Sequence, residues 1–197
     1  MISAVNWPQL GVLTLRDPKA AAAEIMSWQL PRPELWMAAG VIAIISTIFS
    51  TLSNMILPLP APYTDLFPSP FTLFTFIAGG FVLTVNVLFW TGRALGGTGE
   101  MGDLLALLVW LQALRAAAQF LLLICVLLIP ALSGFLLLFI GIATLWVFLN
   151  FLSVGLQLNS LAKAVLVLLV SIVALSMGVS LLFSLIGISA IGVPANV

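Results

Sequence analysis

The chain of 197 residues is 63% apolar and only 6% charged, with a mean hydropathy of +1.31. A soluble domain carries about 25% charged residues, so water-soluble folds and the soluble enzyme classes are excluded, and the composition is that of an integral membrane protein. Six Lys and Arg balance six Asp and Glu, which leaves no basic face to neutralise phosphates and excludes nucleic acid as a partner. Histidine is absent and Cys125 is the single cysteine, so zinc and haem lack their usual ligands and no internal disulfide forms. No metal or other cofactor is expected.

Residues 1–34 spread Arg16, Asp17, Lys19, Glu24, Arg32 and Glu34 where a signal peptide would place an apolar core. The segment therefore reads as cytoplasmic. Asp17 is placed to cap a helix with Pro18 at its first position, and Lys19–Leu30 follows with good helix formers. Ala21, Ile25 and Trp28 share one face with Lys19 opposite, the pattern of a short helix lying in the membrane interface. Packing on the cytoplasmic ends of the bundle is the alternative. Pro31 and Pro33 end this helix and turn the chain into the membrane.

A bilayer core of roughly 30 Å needs about 20 apolar residues per helix. Five runs meet that need: 35–57, 71–91, 104–129, 131–152 and 164–188. Residues 35–197 thus form a five-span domain, an all-α bundle. Pro130, Ser133 and Gly134 divide the third span from the fourth. Five prolines between Pro58 and Pro70 predict an extended linker between the first two. With the N-terminus inside, the inner segments hold Arg16, Lys19, Arg32, Arg93 and Lys163, and the outer segments hold no Lys or Arg. Trp7, Trp28, Trp36 and Trp90 fall on or near that inner interface. The C-terminus then lies outside, in the periplasm if the host is bacterial.

Arg115 is the one charge inside a span. It lies eleven positions beyond Leu104, so roughly 16 Å deep at the helical rise, close to the bilayer centre. A central Arg costs about 2.5–3.5 kcal/mol or more, and function is the default reading of such a residue. A structural lock on backbone carbonyls is the competing one. Gln112 and Gln119, at minus three and plus four, share its helix face, which must look into the bundle. Asn86 in the second span, Asn150 ending the fourth, and Gln157 and Asn159 just after it sit toward the inner half, as one polar patch with Arg115 or as separate interhelical hydrogen bonds. Small residues repeat at Ala39, Ala43, Ser46, Ser50 and Ser53 and again at Ser176, Ser180 and Ser184, the spacing of helix-packing faces.

The inner loop 92–103 has five glycines in twelve residues but no Walker lysine and no preceding strand, so it is not a nucleotide cradle. It reads as a flexible connector whose Asp103 caps the third span. No nucleophile has a base beside it and no carboxylates pair, so an enzyme is not expected.

Gly96-Gly97-Thr98-Gly99 followed by Asp103-Leu104-Leu105 resembles the glycine loop that leads into the third helix of the Yip domain family, the Ypt/Rab-interacting membrane proteins and their bacterial relatives. The stretch from Trp146 through Gly155-Leu156 to Ala162-Lys163-Ala164 is similar to that family's exit from the fourth helix and its short second inner loop, in which Gln157 and Asn159 also lie. Leu15 with Asp17-Pro18 is similar to its N-terminus. The resemblance implies a five-helix bundle with a cytoplasmic N-terminus that works by binding other membrane proteins, without catalysis; the expected partners are the lipid bilayer and other membrane proteins or copies of the chain itself. The family's eukaryotic members are associated with small GTPases and vesicle traffic; the chain lacks their long N-terminal region and their Asp-Leu-Tyr-Gly-Pro segment before the second helix, which argues against a small GTPase partner and for a bacterial inner-membrane member.

Two functions follow as expectations. One is a non-enzymatic interaction or scaffold protein, as a subunit of a larger membrane complex. The alternative is a transporter or channel component that handles an anion or lipid head group through Arg115.

Overall fold

A computed structural model describes residues 6–56 and 69–185, and among these every regular element is helical. In chain order they are α1 (Trp7–Arg16), α2 (Pro18–Ser27), α3 (Arg32–Ile56), α4 (Pro70–Ala94), α5 (Met101–Leu128), α6 (Pro130–Gly155) and α7 (Leu161–Leu185). The last five are long and apolar enough to cross a membrane, so the five-span count holds. Three of them begin three residues before the apolar run that announced them and two, at Pro70 and Pro130, one residue before, because first-turn residues take helical geometry ahead of the hydrophobic signal. Pro33 sits in the first turn of α3, where its missing N–H costs nothing. The linker after Leu57 lies outside the described residues up to Ser69, which caps α4 by accepting from the Thr72 N–H at 3.2 Å.

The turn between α5 and α6 is one residue long. Ile129 adopts φ −142° and ψ 74°, and is at once the C-cap of one helix and the N-cap of the next. A residue before proline is pushed out of the helical region by the pyrrolidine ring, so Pro130 both breaks the run and starts the next helix.

The five spans close into a ring, α3–α5–α6–α7–α4 and back to α3, and α5 also touches α4. Leu104 to Val109 of α5 are buried without interruption, which makes this segment the centre of the core. The buried residues of α4 are Val85, Leu88, Phe89 and Gly92, and those of α6 run from Val147 to Gly155. All lie toward the end of the bundle that carries the 95–100 and 156–160 loops. No residue of 70–84 or 130–146 is buried. The bundle is therefore tight at this loop end and open at the other.

The N-terminal segment departs from expectation in one respect and, in another, takes the alternative of packing on the bundle ends. A whole helix, α1, precedes Asp17: Gly11 and Thr14 weaken its sequence signal, but Asn6 caps it by accepting from the Gln9 N–H at 3.3 Å. Second, α2 is not free in the interface. Asp17 caps it as expected, accepting from the Ala20 N–H at 3.1 Å, but Ala21, Ala22 and Ile25 are buried and the helix packs on α5 and α6. Trp110 of α5 fastens the assembly. Its indole N–H donates to the Thr14 hydroxyl at 3.0 Å, and its ring stacks on Trp7, which meets Trp28 edge-on.

The small-residue faces divide. Ala39, Ala43 and Ser46 are buried in the bundle, with Ser50 and Ser53 half-buried beyond them, and α3 packs on α5 and α4. On α7, Ser176 and Ser180 instead point away from the bundle, and the Ser184 side chain lies outside the described set. The buried positions of α7 are Ala164, Val167 and Ser171, on a different face of the helix.

Because α2 docks through alanines with no spare volume, Ala22→Leu is expected to overpack the contact at a cost of about 1–3 kcal/mol. Proteolysis of detergent-purified protein should then cut within residues 17–34 faster, while Ala23→Leu on the exposed side leaves digestion unchanged.

Candidate functional site

Arg115 stands halfway along α5, fourteen positions from Met101 and thirteen from Leu128. It is exposed, and it makes no hydrogen bond, ion pair or ring contact among the described residues. Two cavities meet at its side chain. One of about 340 Å³ is lined by polar groups from four helices, including Ser46, Thr84, Gln112, Gln119 and Thr144. The other, of about 590 Å³, lies between α5, α6 and α7 and is walled mainly by aliphatic side chains such as Leu122, Leu137, Ile140 and Ile172. Arg115, Gln119, Thr144 and Phe148 line both. The structure thus brings Gln112, Arg115 and Gln119 onto one cavity wall, and the Oε1 of Gln119 is buried there without a hydrogen-bond partner. Toward the loop end, the fully buried Leu104, Leu107 and Phe151 leave the site no continuation.

The glycine loop is a clasp rather than a flexible connector. The backbone N–H groups of Thr98 and Gly99 both donate to the Leu156 carbonyl, at 3.1 and 3.2 Å. The Thr98 hydroxyl donates to Oε1 of Gln157 at 2.9 Å. A side chain on Gly99 would overlap the Gly155 carbonyl, so only glycine allows this approach. Gly96 has φ +87°, where a Cβ is strained. Gln157 also has positive φ, and the N–H groups of Gln157 and Leu158 return to Val154 and Ser153 to close the end of α6. Asp103 does not cap α5: Glu100 holds that position without a side-chain bond, and Asp103 lies in the first turn, where its charge still complements the helix dipole. The two loops noted separately in the sequence therefore form one structural unit.

A family model described as the Yip1 domain matches residues 12–183. The chain belongs to the Yip1 domain family. No curated protein and no solved structure matches it. The matched region takes in the clasp, the Arg115 cavities and the docked helix α2.

Two further polar residues of this Yip1 domain chain stay apart from Arg115. Asn86 and Asn150 each donate to the carbonyl four residues back, Val82 at 2.8 Å and Trp146 at 2.9 Å, so neither joins the patch or bridges two helices. In an apolar setting the nearest acceptor is the helix's own backbone, and both side chains take it. Asn159 is exposed with positive φ, and Lys163 is exposed in the first turn of α7. Sequence reasoning missed Thr84 and Thr144 on the cavity wall, since a threonine in a span usually satisfies itself locally, as Thr84 does on Gly80. Thr98 was equally silent, standing between two glycines in a loop with no periodicity.

Gly99→Ala is expected to push the clasp off Gly155 and to destabilise the purified protein by about 1–3 kcal/mol. Gly79→Ala, where a Cβ meets nothing within 4 Å, should leave it unchanged. Thermal unfolding of the two variants in the same detergent checks both outcomes.

Proposed function

We propose that this Yip1 domain protein is a non-enzymatic interaction or scaffold protein, a subunit of a larger complex within the bilayer. The observation that carries the reading is the outward face of α7. Ser176 and Ser180 lie four residues apart and point away from the bundle, and the Ser176 hydroxyl returns to the Val173 carbonyl at 2.9 Å. Small, satisfied residues at that spacing allow another membrane helix to approach closely. The partner is another membrane protein or a second copy of the chain. Transport of an anion is less well supported, because the packed leucines below Arg115 favour a blind-ended site over a conduit.

The proposed setting is a bacterial inner membrane with the N-terminus cytoplasmic and the C-terminus periplasmic. Arg16, Lys19, Arg32, Arg93 and Lys163 all belong to the loop end, which supports placing that end inside. An alkaline-phosphatase fusion after Val197 is expected to be active in a bacterial host and one at Gly97 inactive. The reverse pattern overturns the orientation.

For the interaction itself, Ser176→Leu with Ser180→Leu should dissolve the native complex in mild detergent while the five-helix bundle stays folded. Size-exclusion chromatography with light scattering reads the first effect and circular dichroism the second. A wild-type chain that runs as a monomer at native expression, or a double variant with an unchanged complex, refutes the scaffold reading.

A further inference from the structure

An arginine at this depth is held at high cost unless an opposite charge or strong acceptors meet it. Among the described residues the chain places no carboxylate near it. Asp17, Glu24, Glu34, Glu100 and Asp103 all stand at the loop end, and Asp65 lies outside the described set. The Arg115 guanidinium is exposed to both cavities and makes no bond. Beside it the Gln119 Oε1 is buried and unpartnered, an acceptor waiting for a hydroxyl or amine donor. The missing partner therefore presents an anion and, close to it, a donor.

Shape narrows the choice. A transmembrane helix is about 10–12 Å across with its side chains, too thick for cavities of about 340 and 590 Å³ already walled by four and three helices. An acidic residue on a partner helix would have to enter with that helix. A phosphate group on a thin, flexible chain does not meet this limit. The two cavities share Arg115, Gln119, Thr144 and Phe148, so an anionic head at Arg115 lies beside an aliphatic slot between α5, α6 and α7 that suits its tail. Because 70–84 and 130–146 contain no buried residue, the helices leave room on the side away from the loop end.

We infer that the Arg115 cavity binds the phosphate of an anionic glycerophospholipid taken from the surrounding bilayer. Arg115 holds the phosphate oxygens, Gln119 accepts from a head-group hydroxyl, and an acyl chain follows Leu122, Leu137, Ile140 and Ile172. The site is separate from the α7 face and stands whether or not that face has a partner.

The test uses the full chain in nanodiscs of equal parts phosphatidylglycerol and phosphatidylcholine, with native mass spectrometry of the lipid retained after release. Wild type should keep phosphatidylglycerol in preference to phosphatidylcholine. Arg115→Leu should lose that preference by about tenfold or more, as expected for removing a charge-assisted contact, with an unchanged helical signal. Arg115→Lys should retain part of it, because the charge stays while the planar fork of donors is lost. In discs of equal parts phosphatidylglycerol and phosphatidic acid, Gln119→Leu should reduce selection of phosphatidylglycerol, whose glycerol hydroxyls phosphatidic acid lacks. Equal retention of both lipids by wild type overturns the inference without recourse to any variant, as does a preference that survives Arg115→Leu. Inorganic phosphate that binds wild type in a phosphatidylcholine-only disc, and displaces phosphatidylglycerol from the mixed one, assigns the oxyanion to solution and overturns the lipid source.

Discussion

The contact between the 96–99 loop and the end of α6 sets the geometry of the whole bundle. Two N–H groups converge on the Leu156 carbonyl, and the Gly99 backbone lies against Gly155 at a distance no side chain tolerates. This ties the exit of α4 and the entry of α5 to the exit of α6, so three of the five spans are fixed to one another at a single end. Leu107 packs against Gly155 just inside the clasp, and the buried leucines of α5 continue from there. Within a bilayer, apolar contact between helices gains little over contact with lipid. Close backbone approach and hydrogen bonds between loops therefore carry much of the specificity.

The open far end is the other side of that arrangement. Helices held firmly at one end and joined at the other by a one-residue turn at Ile129 are free to diverge where no small-residue face draws them together. Ala39, Ala43 and Ser46 bring α3 into the bundle over its first half, but α6 offers α7 no buried surface before Val147. The divergence leaves the cavities at mid-depth, and Arg115 stands at their junction. A charge that would be costly in hydrocarbon is thus given access to polar side chains from neighbouring helices without being sealed by them. The docked pair α1 and α2 reinforces the closed end, since Trp110 reaches from α5 to Thr14 and stacks on Trp7.

Composition and hydrophobic run length determined by themselves that this is a five-span helical membrane protein, because the bilayer admits few other solutions to the backbone hydrogen-bond problem. Local chemistry was equally legible: Asp17 caps α2 beside Pro18, and Pro130 divides two spans, since both effects act within a few residues. The common face of Gln112, Arg115 and Gln119 also follows from helical period alone. What faced that side did not follow, because Thr84 and Thr144 come from other helices and carry no signal in their own runs. Nor did the partners of Asn86 and Asn150, where a carbonyl four residues away competed with every interhelical acceptor. Periodicity marks a small-residue stripe without saying where it points, so Ser176 and Ser180 read like Ala39 and Ala43 although only the latter pair is buried. The glycine loop read as loose because glycine permits flexibility; the tertiary fold uses the same missing Cβ to press two backbones together, and only the position of Gly155 decides between the two.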